Sequence, residues 1–187
     1  TINYEWTVGT TTYSGATLDL STTAAMPNDT IVCTASVTDD TGATDQLSDS
    51  ISLENRDPSV SGIGITPTTV YTNSLVSCAA TVADDDGETP AQTITWSVGG
   101  NTLGTGDTLQ LDNTIVSVGD ALTCMVSATD GYGASASDSV GVTIDNTDPV
   151  ISTSIDDMAP YADSTITCTA TVSDADGESL SPSYEWT

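Results

Sequence analysis

The sequence predicts an all-β protein built from tandem β-sandwich repeats of about 90 residues. The first observation is a repeat: Tyr4-Glu5-Trp6-Thr7 returns as Tyr184-Glu185-Trp186-Thr187, and Ile94-Thr95-Trp96-Ser97 lies between them. The second observation is that apolar and polar residues alternate with a period of two, which is typical of strands with one buried face. Gly, Asn, Asp and Pro punctuate these segments at short intervals, as turns between strands require.

The alternation is clearest around the four cysteines. In segment 165–172, Ile166, Cys168, Ala170 and Val172 point one way and four threonines point the other. The other three cysteine segments have the same pattern, with predicted inward residues Ile31, Cys33, Ala35 and Val37; Val76, Cys78, Ala80 and Val82; and Leu122, Cys124, Val126 and Ala128. The cysteines also keep the repeat spacing, because Cys124 follows Cys33 by 91 residues and Cys168 follows Cys78 by 90.

One complete repeat is predicted to contain several short strands between turn signals, which favours a sandwich. The predicted strands are 60–65, 75–83, 93–98, 102–103, 108–111, 121–129 and 138–144. An acidic loop at 84–88 follows the first cysteine strand, and turns are predicted at 99–101 and 130–133. The repeat divides the chain into the C-terminal part of one repeat (1–56), a complete repeat (57–147) and the N-terminal part of the next (148–187). We expect the chain to be a segment of a longer array.

The order Cys, Trp, Cys on three inward-facing strands resembles an immunoglobulin-like sandwich. The whole chain is similar to the tandem Ig-like and PKD-like repeats of giant bacterial and archaeal surface or fibre proteins. It departs from antibody domains because Leu122 and Ile31 stand where those domains carry a Tyr before the second cysteine. The resemblance implies a disulfide between Cys78 and Cys124, and closing this 46-residue loop is worth about 4 kcal/mol in the chain-entropy model.

The other two cysteines are expected to find partners outside the chain. Cys33 aligns with Cys124, so its partner is expected upstream of residue 1, and Cys168 aligns with Cys78, so its partner is expected beyond residue 187. A rival pairing joins Cys33 of one molecule to Cys168 of the next. The doubled Tyr-Glu-Trp-Thr segment argues against that pairing, because one copy would be redundant.

The charge balance restricts the classes of partner. The chain has 27 acidic residues, one basic residue (Arg56) and no histidine, for a net charge of −26. Nucleic acid and anionic membranes repel such a chain, whereas cations are attracted. No apolar run approaches the ~20 residues of a membrane span, so no membrane insertion is expected. Without His or Lys the serines lack a base, so we expect no enzymatic activity.

Two acidic linkers recur at an offset of 91 residues, and acidic loops are expected to lie beside them. Oxygen-rich clusters of this kind suit Ca²⁺, and the arrangement resembles cadherin repeat junctions. The alternative is that the acidic residues occupy solvated turns. The predicted ligands are Glu54, Asn55, Asp57, Asp84, Asp86, Glu88 and Asp130 at the first junction, and Asp145, Asn146, Asp148, Asp174, Asp176 and Glu178 at the second.

The sequence therefore predicts a structural repeat segment of a long extracellular fibre, filament or stalk, with copies of the same protein as partners. The alternative is that the repeats form the spacer or binding part of a cell-surface adhesin for a glycan or protein. The outward Thr and Ser residues and the sequon Asn28-Asp29-Thr30 are sites where glycans can be attached, but the outward threonines are also explained, and better, by the preference of threonine for strands.

Overall fold

The structure is a computed structural model that describes residues 1–187. The all-β expectation is confirmed, because apart from one 3-10 turn at Leu20–Thr22 every regular element is a strand. The strands are β1 Ile2–Val8, β2 Thr11–Ser14, β3 Thr30–Thr38, β4 Thr44–Ser52, β5 Ser59–Thr66, β6 Val70–Tyr71, β7 Leu75–Ala83, β8 Ala91–Val98, β9 Asn101–Thr105, β10 Thr108–Gln110, β11 Ala121–Thr129, β12 Ser135–Asp145, β13 Val150–Ile155 and β14 Cys168–Ser173.

The chain separates into two compact units. The first unit comprises 1–59, 83–91 and 129–136, and the second comprises 60–82, 92–128 and 137–187. The repeat boundaries expected from the sequence, after residues 56 and 147, stay a prediction. The chain contains no helix of the length and apolarity that a membrane span requires.

The first unit contains a four-stranded sheet with the order β2-β1-β3-β4. All its neighbouring strands are antiparallel, and Trp6 of β1 lies opposite Cys33 of β3. The indole of Trp6 donates a hydrogen bond to the carbonyl of Gly15 at 2.9 Å. Val8 and Ile31 are buried, but much of this face is open to solvent.

The second unit contains a three-stranded sheet, β10-β7-β5, and a five-stranded sheet, β6-β12-β11-β8-β9. A disulfide between Cys78 of β7 and Cys124 of β11 joins the two sheets, with 6.5 Å between the Cα atoms. This is the pair that the sequence predicts. A continuous apolar core surrounds the disulfide and includes Trp96, Leu122 and Val126, each fully buried. The two sheets and their shared core are compatible with a β-sandwich.

The last two strands, β13 and β14, form an antiparallel pair in the second unit, with Ile155 opposite Cys168. The sequence predicts that the cysteine strand begins at residue 165, but β14 begins at Cys168. The prediction was wrong for the three residues 165–167 because they have no neighbouring strand to complete a ladder. The amide of Thr167 is instead bonded to the Asp156 carboxylate at 2.8 Å.

Candidate cation-binding junctions

The acidic loop after β7 folds into a tight turn that gathers three carboxylates. Asp86 donates its backbone N–H to the Asp84 carboxylate at 2.8 Å, and Gly87 takes a φ of +89°, which favours glycine. One carboxylate oxygen each from Asp84, Asp86 and Glu88 lies within 4.8 Å of the others. Three negative groups this close repel one another unless a cation or a proton intervenes. We call this cluster the first triad.

The linker before β5 lies against the first triad. The backbone N–H of Arg56 donates to Asp86 Oδ2 at 2.7 Å, and the Asn55 amide donates to Asp130 Oδ2 at 2.8 Å. Asp130 is 7% exposed, and its other oxygen accepts from the backbone of Tyr132 and Ala134, each at 2.9 Å. The sequence-predicted residues Asn55, Asp84, Asp86, Glu88 and Asp130 are therefore joined in one network.

Three oxygen atoms of this network are buried without any hydrogen-bond donor: Asn55 Oδ1, Asp84 Oδ2 and Glu88 Oε2. A buried polar atom without a partner is unfavourable by about 1–3 kcal/mol as a class. All three atoms are acceptors, which a cation can satisfy and an anion cannot. The donor set consists of hard oxygen ligands, which suits Ca²⁺ or Mg²⁺ better than a metal that prefers nitrogen or sulfur.

The pKa values of the carboxyl groups in this network reflect the same crowding of negative charge. Burial raises the pKa of the Glu88 carboxyl, and the charges of Asp84, Asp130 and Asp86 raise it further. In contrast, the hydrogen bond from Asn55 lowers the pKa of Asp130, assisted by backbone N–H groups. Gly131 leaves room for Glu88, because a Cβ atom at Gly131 would lie 3.0 Å from Glu88 Oε1. The backbone of Gly131 also hydrogen-bonds the Glu88 carboxylate, which partly offsets the rise in its pKa.

The second triad, Asp174, Asp176 and Glu178, has the same turn and the same spread of carboxylate oxygens, within 4.8 Å. Asp176 donates its N–H to the Asp174 carboxylate at 2.8 Å. The backbone N–H of Thr147 donates to Asp176 Oδ2 at 2.7 Å, as Arg56 does to Asp86. Burial raises the pKa of Glu178, and the charges of Asp174 and Asp176 contribute.

Two hydroxyl groups distinguish the second triad from the first. Thr72 Oγ1 donates to Asp176 Oδ1 at 2.7 Å, and Thr147 Oγ1 donates to Asp176 Oδ2 at 2.8 Å. Thr72 is fully buried, and the only other acceptor near its hydroxyl group is the Ala175 carbonyl at the longer distance of 3.2 Å. These bonds, with that from Thr72 the largest influence, lower the pKa of Asp176. The second triad is therefore stabilised by neutral donors, whereas the first retains buried acceptors without donors.

Five other sequence-predicted ligands lie outside the triads. Glu54 and Asp57 of the first linker are exposed, and so are Asp145, Asn146 and Asp148 of the second. The Asn146 amide donates to the Thr147 carbonyl at 2.7 Å. Metal ligation by these five residues, as by the other predicted ligands, stays a prediction.

Sequence reasoning missed four residues that shape the junctions: Thr72, Asn113, Gly131 and Thr147. Thr147 aligns with Arg56 in the repeated linker, so the alignment of the two linkers contained a signal for it. Thr72 lies 104 residues from its partner Asp176, and Asn113 lies 62 residues from the Ala175 carbonyl that it contacts at 3.1 Å. No local pattern marks contacts of that range.

No protein-family model matches the chain, and no curated protein matches its sequence. The geometry of the two triads is consequently the main guide to what the chain binds. Each triad has the spacing to hold a metal ion.

Proposed function

We propose that this chain is a structural repeat segment of a long extracellular fibre, filament or stalk, and that Ca²⁺ occupies its repeat junctions. The observation that carries the proposal is that one linker-to-loop contact occurs twice. In both junctions a linker backbone N–H reaches the middle Asp of the triad at 2.7 Å, from Arg56 to Asp86 and from Thr147 to Asp176. A joint built twice in one chain serves continuity along the chain better than a single active site does.

The linkers have further features of a stiff joint. Asn55 and Asn146 each donate their side-chain amide to the carbonyl of the following residue, at 2.8 and 2.7 Å. Each linker then ends in a proline, Pro58 or Pro149, whose ring fixes φ. Backbone freedom is lost on both sides of the linker-to-loop bond, which favours one linker conformation.

Calcium is the cation that the first triad fits best. Ca²⁺ takes 6–8 oxygen ligands in irregular geometry, and the network offers carboxylates together with the Asn55 amide oxygen. Mg²⁺ demands near-octahedral geometry and keeps several waters, which suits these enclosed oxygens less well. The net charge of −26 adds a long-range attraction for any divalent cation.

An extracellular setting is supported by the Cys78–Cys124 disulfide, because such bonds persist mainly in oxidising compartments. A cystine between the two sheets also opposes mechanical and thermal separation of the sheets in the second unit, which suits a structural role. The composition supports a structural role, since the sequence contains neither His nor Lys.

The calcium part of the proposal is tested by calorimetric titration of the chain with CaCl₂, together with thermal unfolding. At a free concentration of 100 Kd, one bound ion should stabilise the occupied fold by about 2.7 kcal/mol. Gly131→Ala is the sharpest variant, because it adds no charge but places a methyl group against the Glu88 carboxylate. We expect Gly131→Ala to bind calcium more weakly than the unaltered chain. The control is Gly141→Ala on β12, far in sequence from the first triad, and its calcium affinity should be unchanged. Equal affinities for the two variants would contradict the assignment.

The fibre part is tested by negative-stain electron microscopy of the protein as it is secreted. We expect beaded threads whose appearance changes from straight to bent when EDTA removes divalent cations. Compact particles without a repeating bead would exclude a fibre or stalk, whatever the outcome of the calcium titration.

A further inference from the structure

The only basic side chain in the sequence lies against the first triad. The chain has 27 acidic residues and a single basic one, Arg56, and the first triad gathers three of the acidic residues in one turn. The Arg56 guanidinium group lies 3.6 Å from Asp86 Oδ1 and donates to the Asp85 carbonyl at 3.4 Å. The one basic side chain is therefore placed beside crowded carboxylates.

Arg56 contacts Asp86 through both its backbone and its side chain. The backbone N–H donates to Asp86 Oδ2 at 2.7 Å, which is the contact that both linkers share, and the guanidinium group forms the ion pair with Asp86 Oδ1. The two oxygens of one carboxylate are thus held by two parts of the same residue. The positive charge is an addition to the shared linker contact and is separable from it.

The second linker makes the same backbone contact without a charge. Thr147, which aligns with Arg56, donates its N–H to Asp176 Oδ2 at 2.7 Å and its hydroxyl group to the same atom at 2.8 Å. The linker contact therefore does not require a cationic side chain at this position. The guanidinium group needs its own explanation, and the negative charge of the turn beside it supplies one.

The guanidinium group lies at the rim of the first triad. The Arg56 side chain is 67% exposed, whereas the Asp86 side chain is 13% exposed. The three buried acceptor atoms without a donor, Asn55 Oδ1, Asp84 Oδ2 and Glu88 Oε2, receive no hydrogen bond from Arg56. The enclosed oxygens are thus free to contact a metal ion, and the guanidinium group acts on that ion from outside through its charge.

We infer that Arg56 is the built-in counter-ion of the first triad and that its charge sets how strongly this junction binds a divalent cation. The inference rests on the proposed calcium sites and names the residue that tunes one of them. Without metal, the guanidinium group partly balances the carboxylates of the turn. With metal bound, the two positive charges repel each other, so the affinity is lower than the carboxylates alone would give.

The exposure of Arg56 limits the size of this effect. Exposed ion pairs contribute little because water and salt screen them. A divalent ion is repelled twice as strongly as a monovalent ion at the same distance, so removal of the guanidinium group should raise the calcium affinity of the first junction about two- to tenfold. The turn itself should persist, because the backbone N–H of residue 56 keeps its bond to Asp86.

The test is a calorimetric titration of the unaltered chain, Arg56→Thr and Arg56→Lys with CaCl₂. Arg56→Thr gives the first linker the residue of the second, and Arg56→Lys is the matched control that keeps the charge. The site at the first junction is identified as the one that Glu88→Gln removes. At that site we expect Arg56→Thr to bind calcium about two- to tenfold more tightly than the unaltered chain, and Arg56→Lys to stay within about twofold of it.

The dependence on salt separates an effect of charge from an effect of packing. The first junction of Arg56→Thr has one more net negative charge, so NaCl should lower its calcium affinity more steeply than that of the unaltered chain. A side chain that only shaped the linker would leave this slope unchanged. Thermal unfolding in EDTA gives a readout without calcium, because the melting temperature of Arg56→Thr should rise more with added NaCl than that of the unaltered chain.

The outcomes distinguish this inference from the proposed function. Calcium binding at the first junction that is equal or weaker in Arg56→Thr, or that changes as much in Arg56→Lys as in Arg56→Thr, would overturn the counter-ion role and leave the proposed calcium sites standing. Absence of calcium binding in all three chains would overturn the proposed calcium sites together with the inference.

Discussion

Trp6 and Trp96, 90 residues apart in this chain, share their local structure but differ in their surroundings. Trp6 and Trp96 each lie on a strand beside a cysteine strand, and each indole donates to a glycine carbonyl at 2.9 Å. Trp96 is nevertheless fully buried under a second sheet, whereas Trp6 is only half-buried. The comparison teaches that two aligned tryptophans can have the same strand and hydrogen bond, while the burial of each depends on which segment covers it.

The largest expected effect uses the two tryptophans as a matched pair. Trp96→Ala removes a fully buried side chain from a packed core and should destabilise the second unit by about 3–5 kcal/mol. Trp6→Ala should lower stability by less than half of that, because part of the ring already contacts water. Urea unfolding of both variants measures the difference. Equal losses would show that the first unit's face is covered in solution.

The next effect compares the two bonded cysteines, Cys78 and Cys124, with the two free cysteines, Cys33 and Cys168. Replacing both Cys78 and Cys124 with Ser should cost about 2–5 kcal/mol, since the disulfide that closes a 46-residue loop is lost. Replacing both Cys33 and Cys168 should leave the monomer's melting temperature unchanged, because both are free thiols within the chain. Calorimetry at low protein concentration separates the two cases. A large loss from the second pair would contradict their assignment as free.

A third pair tests the difference between the two triads. Thr147→Val removes the hydroxyl group that bonds the Asp176 carboxylate at 2.8 Å, so the second junction should be destabilised. Arg56→Ala removes an exposed side chain 3.6 Å from Asp86, and such exposed ion pairs are worth only about 0.2–1 kcal/mol. Thermal unfolding in EDTA should therefore show a larger decrease for Thr147→Val. The reverse order would mean that the Arg56 guanidinium group stabilises its junction more than the Thr147 hydroxyl group stabilises the other.

The smallest expected effect concerns the pH dependence of Glu88 and Glu178. In each case the pKa is raised by burial and by neighbouring carboxylates, so the folded state binds the proton more tightly than the unfolded state. Stability from these groups is therefore present below the unfolded pKa and is lost as the pH rises through the raised value. Glu88→Gln should flatten this decrease in EDTA and also remove the calcium response of the first triad. Glu178→Gln should flatten it at the second junction alone, and a melting temperature that rises over this pH range in EDTA would contradict the assignment.

Much of the candidate site could be predicted from the sequence, and the exceptions have a common cause. The triads were predictable because residues two apart in a turn stay close in any fold, as Asp84, Asp86 and Glu88 do. Asn55 and Asp130 were predictable because, in a sandwich of this strand order, the linker and the loop after the second cysteine strand lie at the same end of the repeat. Thr72 was not, because its bond to Asp176 joins residues 104 positions apart and nothing in the surrounding sequence distinguishes it from other threonines.

The sequence by itself determined the all-β class and which residues alternate along the strands, since a period of two is a local property of a chain, and the resemblance to Ig-like repeats implied the pairing of Cys78 with Cys124. Only the tertiary structure decided that β14 begins at Cys168, that three oxygen atoms around the first triad are buried without donors, and that one apolar face is covered while its counterpart is open. These features depend on whether a distant segment supplies a neighbouring strand, a donor or a cover. Alternation along a strand indicates which side chains lie on its apolar face, but packing against other segments decides whether those side chains are buried.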